Sequence, residues 1–406
     1  MSSDMAELER VIEDVPDGWT IQPLSRLCAE VAERVDPSSL SHELATHYVG
    51  LEHIGQGSGR LDGVGSTADV VSQKSRFRGG DILYGKLRPN LRKVARPDFG
   101  GVCSTDVVVF RVTKAADPDF VLQVLQSEPL VAHAIATAAG TKMPRTHARS
   151  ILSFEIAAPP LEEQRRIAEV LRSVDEAIAA QSTLCSHLRQ TADDLADELY
   201  AHEISVCGSD VMAYGDACET VQVGIVIKPA SYYVDDGGVP ALRSTNIKRN
   251  EIDFSALVQL SHEGHAINKK SSLRAGDVVT IRTGEPGKTA VISHDAPSPL
   301  NCIDIIFSRP KPELRPHFAS YFINSGTARR QIGAMQGGLA QQHFNVGEMK
   351  KLKLPVPTLA RQDRVVAVLD GAWQVVQVEE AQLVTLQSTK QALMSDLLSG
   401  RVRVPV

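Results

Sequence analysis

The sequence predicts an α+β protein built twice on one plan, each copy a strand-rich block followed by a long helix. Three observations carry that expectation. The 406 residues exceed the roughly 250–300 at which a single hydrophobic core stops growing, so two or more domains are expected. The composition, 43% hydrophobic and 23% charged, is that of an ordinary globular chain and not of a disordered one. A shift of 198 residues, the interval from Leu161 to Leu359, lays PPLEEQRRIAEVL (159–171) over PTLARQDRVVAVL (357–369) and pairs Gln164 with Gln362 and Leu171 with Leu369.

The chain opens on an acidic stretch, MSSDMAELERVIEDV, without the apolar core of a signal peptide. No apolar run approaches the roughly 18 residues that crossing a bilayer needs, and a cytoplasmic protein is expected. Within the first block, GDILYGK (80–86) and CSTDVVVFR (103–111) read as short strands rich in β-branched residues. The second block repeats them as GDVVTIR (276–282) and CIDIIFSR (302–309), with Asp106 falling on Asp304. Residues 120–140 and 317–335 each read as one short helix. A proline pair or Pro-Thr then stops the block, and a long helix begins. In the first helix Ile167, Leu171, Val174, Ile178, Gln181, Cys185, Leu188, Ala192, Leu195 and Leu199 step by 4 and 3. The second follows the same steps from Val365 through Leu369 and Glu379 to Lys390 and Leu397. That is the a/d rhythm of a coiled coil. About 38 residues at 1.5 Å make a rod of about 55 Å, and pairing of the two helices antiparallel about a pseudo-two-fold axis is the simplest closed arrangement for a duplication. The expected divisions are 15–158, 159–205, 206–356 and 357–400.

The net charge of −6 hides an uneven distribution. Residues 1–17 hold six acids and one base and residues 160–205 hold ten acids and four bases, so the two blocks between are mildly basic. The densest basic stretch is 74–96, where Lys74, Arg76, Arg78, Lys86, Arg88, Arg92, Lys93 and Arg96 face only Asp81. Such a patch in an acidic chain asks for an anionic partner, with phosphate the usual one. Phe77 and Tyr84 offer aromatic faces, and Lys86, Arg88 and Asn90 have the groups that read base edges. The second block offers Arg243, Asn246, Lys248, Arg282 and Lys288. The loops 140–148 and 337–345 add Arg145, Gln341, Gln342 and His343.

Other chemistry finds no motif. TGEPGKTA (283–290) lacks the glycine that a phosphate-binding P-loop needs at position 282, which is Arg282. The six cysteines form no CxxC pair and the 12 histidines no ligand spacing, so no metal site is expected. No S-adenosylmethionine strand, nucleophile elbow or nuclease constellation is present. An adaptor whose blocks bind protein is the alternative that the basic stretch argues against.

VPDGW (15–19), GDILYGKLRPNLRKVA (80–95) and the duplicated Pro-Leu-x-x-Gln helix start together resemble the specificity subunits of type I restriction-modification systems. The resemblance spans nearly the whole chain. It implies two target recognition domains with twisted sheets, each reading half of a bipartite sequence in double-stranded DNA, spaced by the helix pair. It implies two modification subunits that bind S-adenosylmethionine and methylate adenine N6, and restriction subunits that use ATP and magnesium. This chain would then be a non-catalytic recognition subunit that binds no cofactor. Leu161, Gln164, Ile167, Leu171, Leu359, Gln362, Val365 and Leu369 would serve helix pairing or partner docking. The second copy departs from the first in having Arg361 for Glu163 and Trp373 for Asp175.

Overall fold

The computed structural model describes residues 15–36, 47–140, 143–208, 211–336 and 343–405, apart from the side chains of Cys207 and Gln336. It divides into two compact units, one formed by residues up to 182 together with 381 onward, the other by 183–380. The helices, in chain order, are α1 (Pro118–Gln126), α2 (Glu128–Ala136), α3 (Ala148–Leu152), α4 (Leu161–Cys207), α5 (His262–Ile267), α6 (Pro316–Asn324), α7 (Gly326–Gln336), α8 (Val346–Lys351) and α9 (Leu359–Ser399). No helix among the described residues is long and apolar enough to cross a membrane.

In the first unit, one four-stranded antiparallel sheet runs in the order Cys28–Glu30, Val107–Val112, Ile82–Gly85, Val94–Ala95. A second sheet, Arg34–Val35, Lys74–Phe77, Gly101–Cys103 and Tyr48–Val49, has one parallel pair at its edge. The strand 82–85 is buried on both faces, which is why its sequence is continuously apolar and does not alternate. Ile82 and Tyr84 pack with Phe110, Phe120 and Leu125 on one side. Leu83 packs with Phe77, Val107 and Val109 on the other. Both aromatic residues expected to face DNA, Phe77 and Tyr84, are therefore core residues, at 0% and 2% exposure. The pleat turns them inward, while Arg78 between them stays exposed.

The second unit repeats the first sheet as Cys218–Val223, Ile305–Pro310, Val278–Ile281, Thr289–Val291. Beside it lies a five-stranded sheet in the order Tyr233–Val234, Val258–Leu260, Val239–Leu242, Leu300–Cys302, Ser272–Leu273. In both units the single helix expected after the last strand is two. Ser127 and Ser325, which are 198 positions apart, take extended backbone and end α1 and α6. Each serine hydroxyl donates to a carbonyl of the turn it closes, Val124 at 2.7 Å and Phe322 at 2.6 Å. Serine followed by Glu-Pro in one copy and by Gly-Thr in the other is a stop-and-restart signal that the apolar periodicity masks.

Every a and d position expected in the long helices is buried or half-buried. Each unit takes half of each helix. In the first, Ile167 and Leu171 share a core with Met394 and Leu397, and Asp175 pairs with Lys390 at 2.6 Å. In the second, Ala192, Ala196 and Tyr200 share a core with Leu369, Val365 and Trp373, and Glu203 pairs with Arg361 at 3.0 Å. Rising numbers on α4 meet falling numbers on α9, which is the antiparallel register the duplication predicts.

Candidate nucleic-acid interface

The strand 82–85 delivers its basic sequence into a tight turn. Lys86 N–H donates to the Asp106 carbonyl at 2.8 Å, and the Lys86 carbonyl accepts from Thr146 N–H at 3.1 Å. Leu87 bridges Arg145, whose Nε donates to the Asp106 carboxylate at 3.2 Å. Beyond it, Arg88 and Arg92 hold left-handed backbone at φ 51° and 48° on either side of the turn Pro89–Leu91. That conformation is disfavoured for residues with a Cβ, and the Arg88 N–H bond to the Pro144 carbonyl at 2.9 Å helps to fix it. Arg78, Arg88 and Asn90 stand exposed, and Lys86 is half-buried.

The second unit builds the same corner. Thr283 bridges His343 as Leu87 bridges Arg145. Arg282 donates to the Asp304 carboxylate at 2.9 Å and lies 3.1 Å from His343 Nε2, while Thr283 Oγ1 is 2.9 Å from His343 Nδ1. Asp304 carries φ 49°. The two halves thus place a cation, an acid and a loop residue at equivalent points, with Lys86, Asp106 and Arg145 answered by Arg282, Asp304 and His343.

The rest of the basic stretch does not form one face. Lys93 Nζ turns inward onto the carbonyls of Leu51 and Ile54 at 2.6 and 3.0 Å. Lys74, 7% exposed, donates to Ser72 and lies over the Tyr48 ring. Arg76 pairs with Glu33 at 2.9 Å, Arg96 with Asp119 at 2.6 Å, and Arg92 with Glu128. Strand alternation and counter-ions from distant sequence divide what the linear charge count joined. In the second unit Asn246 is 3% exposed and holds Arg243 N–H and the Ala256 carbonyl, so its amide serves the fold. Arg243 is half-buried, with Nε enclosed. Lys248 pairs with Glu251 and Lys288 with Glu285. Gln341 and Gln342 lie outside the described residues.

Sequence reading missed a clamp that both units share. Asp81, the one acid of the stretch, is 3% exposed and takes a bidentate contact from Arg111 at 2.8 and 2.7 Å. Asp277 and Arg309 repeat it at 2.8 Å twice. Gly-Asp ahead of one strand and an arginine near the end of a later strand, 30 residues after the aspartate in the first copy and 32 in the second, were the available signal.

The Pro-Leu-x-x-Gln residues prove to be fasteners within each unit. Gln164, 2% exposed, accepts from Asp117 N–H at 2.9 Å and donates to the Pro159 carbonyl at 2.9 Å. Gln362, 0% exposed, accepts from Arg315 N–H at 2.8 Å and donates to the carbonyls of Glu313 and Pro357. Ile167, Leu171, Val365 and Leu369 are buried in their own unit's core and present no surface to a partner, whereas Leu161 and Leu359 remain partly exposed. Glu163 accepts from Arg403 at 2.6 and 2.9 Å and from Trp19 Nε1 at 3.0 Å, and the guanidinium holds its carboxyl below the usual glutamate range. Cys28, Cys103 and Cys218 are buried thiols, pushed up to about 12 by loss of water. Among the described residues, no three His, Cys, Asp or Glu side chains are placed to hold a metal.

Comparison with known proteins agrees with this geometry. A family model described as the type I restriction modification DNA specificity domain matches residues 66–187. The EcoDI specificity subunit of Escherichia coli is 25% identical over 43% of this chain and 38% of its own length. The MjaVIII specificity subunit of Methanocaldococcus jannaschii is 21% identical over 65% of this chain and 66% of its own. The chain therefore spans less than two thirds of either relative in these alignments. Two solved structures share the fold. One, described for complex assembly and conformational transition of the type I R-M system, covers 96% of this chain and 100% of its own at TM-score 0.57 and 21% identity. The other, a type I S subunit from M. genitalium, covers 95% and 97% at 0.52 and 16%. In its family-model match and its relatives the chain is similar to the specificity subunits of type I restriction-modification systems, and it shares the fold of the two solved structures.

Proposed function

We propose that this chain is the DNA-reading subunit of a type I complex, each block reading one half of a bipartite duplex target. The observation that carries the reading is the duplicated corner: Lys86, Asp106 and Arg145 recur as Arg282, Asp304 and His343 although the sequences around them differ. A scaffold that keeps its frame and varies its loops suits two readers of different sequences. Backbone phosphates position such a protein and base edges give it specificity. In this reading two modification subunits bind S-adenosylmethionine and methylate adenine N6 where the chain directs them, and restriction subunits use ATP and magnesium. The chain contributes no reacting group, and it works in the cytoplasm.

The test is to purify the full chain alone and with its modification subunits, and to map adenine methylation in cells with and without the gene. The expected result is a methylated motif of two half-sequences and a fixed gap, produced by the complex and not by the chain alone. Methyl transfer by the chain alone, or absence of any such motif, overturns the reading.

A further inference from the structure

One loop of the second unit is held firmly and yet presents apolar side chains to water. Ile227 is 82% exposed and its neighbour Val226 47%. A single exposed isoleucine needs no explanation, since much of any protein surface is apolar. Two adjacent ones on a fixed arm are different. Gly224 lies so close to Cys302 that a Cβ would meet its carbonyl oxygen at 2.4 Å, so this approach requires glycine. Ile225 then bridges Ile303 in parallel, donating to the Cys302 carbonyl at 2.9 Å and accepting from Asp304 N–H at 3.0 Å. After the apolar pair, Lys228 turns the chain at φ 43° and Pro229 opens a helical turn. The loop thus leaves the sheet at Asp304, the residue whose carboxylate holds Arg282 and, through it, His343.

We propose that Val226 and Ile227 are a specificity determinant of the second block, packing in the major groove against the C5 methyl of a thymine. This rests on the DNA reading above and deepens it. Cations on phosphates carry no sequence information, and the corner's Arg282 is already committed to Asp304. Thymine alone displays a methyl group in the major groove, and an aliphatic side chain is its natural complement. Lys228, the next residue, adds a positive charge that a duplex attracts, the Asp304 N–H bond to Ile225 ties the arm to the Arg282–Asp304 corner, and Gly224 fixes the reach of the arm.

The experiment uses the complex of the full chain with its modification subunits. Methylation mapping gives the motif, and exchange of residues 206–356 identifies the half-site that this block reads. Duplexes in which each thymine of that half-site is replaced in turn by deoxyuridine are then bound by the wild type, Ile227→Ala and Ile227→Leu, with fluorescence anisotropy as readout. Removing one methyl should weaken the wild type and Ile227→Leu about fourfold, the worth of one buried methylene-sized group, and leave Ile227→Ala unchanged. A half-site without thymine, a complex indifferent to every replacement, or an alanine variant as sensitive as the wild type overturns the proposal. So does an alanine variant that loses its modification subunits while keeping base preference, because the loop would then dock on protein. In each of those cases, salt-sensitive binding to the mapped motif shows that the DNA reading itself stands. Absence of a motif defeats that reading instead.

Discussion

Two acidic side chains decide how much of the neighbouring positive charge is left for a duplex. Asp304 takes Arg282, whose side chain is 15% exposed. Asp106 takes the more exposed Arg145, at 49%, and leaves the Lys86 ammonium without a partner among the described residues. Lys86→Ala and Arg88→Ala should therefore each lower the slope of log affinity against log salt by about 0.9, the value of one phosphate contact. Lys93→Ala should leave that slope alone. Instead it strips donors from the carbonyls of Leu51 and Ile54, costing about 1–3 kcal/mol of stability, which thermal melts would register. Equal slopes for Lys86→Ala and the wild type would show that the corner does not touch phosphate. Glu163 offers a pH test. Its folded-state value lies below the ordinary one because Arg403 binds the ionised form. A depressed carboxylate adds stability above its unfolded value and loses it as pH falls through the folded one. Glu163→Gln should thus lower the melting temperature at neutral pH and shrink the loss on acidification below about 4. An unchanged acid limb would assign the pH dependence elsewhere.

At the scale of elements, the two departures of the second copy from the first turn out to be exchanges of partner. Glu163 faces Arg403 in one unit, and in the other Arg361 faces Glu203, so the sign is swapped and the pair is kept. Asp175 with Lys390 becomes Trp373 with Ala192, an ion pair replaced by two members of one apolar core. Arg361→Glu should cost about 3 kcal/mol, because Glu203 is 6% exposed and would be left uncompensated. Adding Glu203→Arg should restore most of it. A double variant no better than the single one would show that packing, and not charge, holds this end. The heptads, the strand pairs and the repeat itself were legible because each repeats a spacing that one physical cause imposes. The helix breaks at Ser127 and Ser325 were not, since a serine inside an apolar period reads equally well as a solvent-facing residue. The basic stretch misled for a related reason. Linear charge says nothing of Glu33, Asp119 or Glu128, which arrive from elsewhere in the chain to neutralise it.

For the whole molecule the question is how one frame tolerates blocks of different sequence. The fasteners supply a physical answer. Gln164 and Gln362 hold the starts of the long helices through backbone groups, the N–H of residue 117 or 315 and the carbonyl of 159 or 357. A bond to the main chain is indifferent to which side chain sits there, so a block can change its reading loops without loosening its anchor. Each unit also has separate apolar clusters beneath its sheets. The side-chain contacts across the seam are more particular. Arg315 with Asp363 and Tyr321 with Asp370 in the second unit join the block to α9. A replacement for residues 206–356 should therefore be chosen with a base and a tyrosine at those two positions. Such an exchange is expected to change one half of the methylated motif and leave the other half and the gap as they were, with methylation mapping as the readout. If both halves changed, the blocks would not read independently. If the motif survived intact, recognition would lie outside the exchanged residues, in the frame that both copies share.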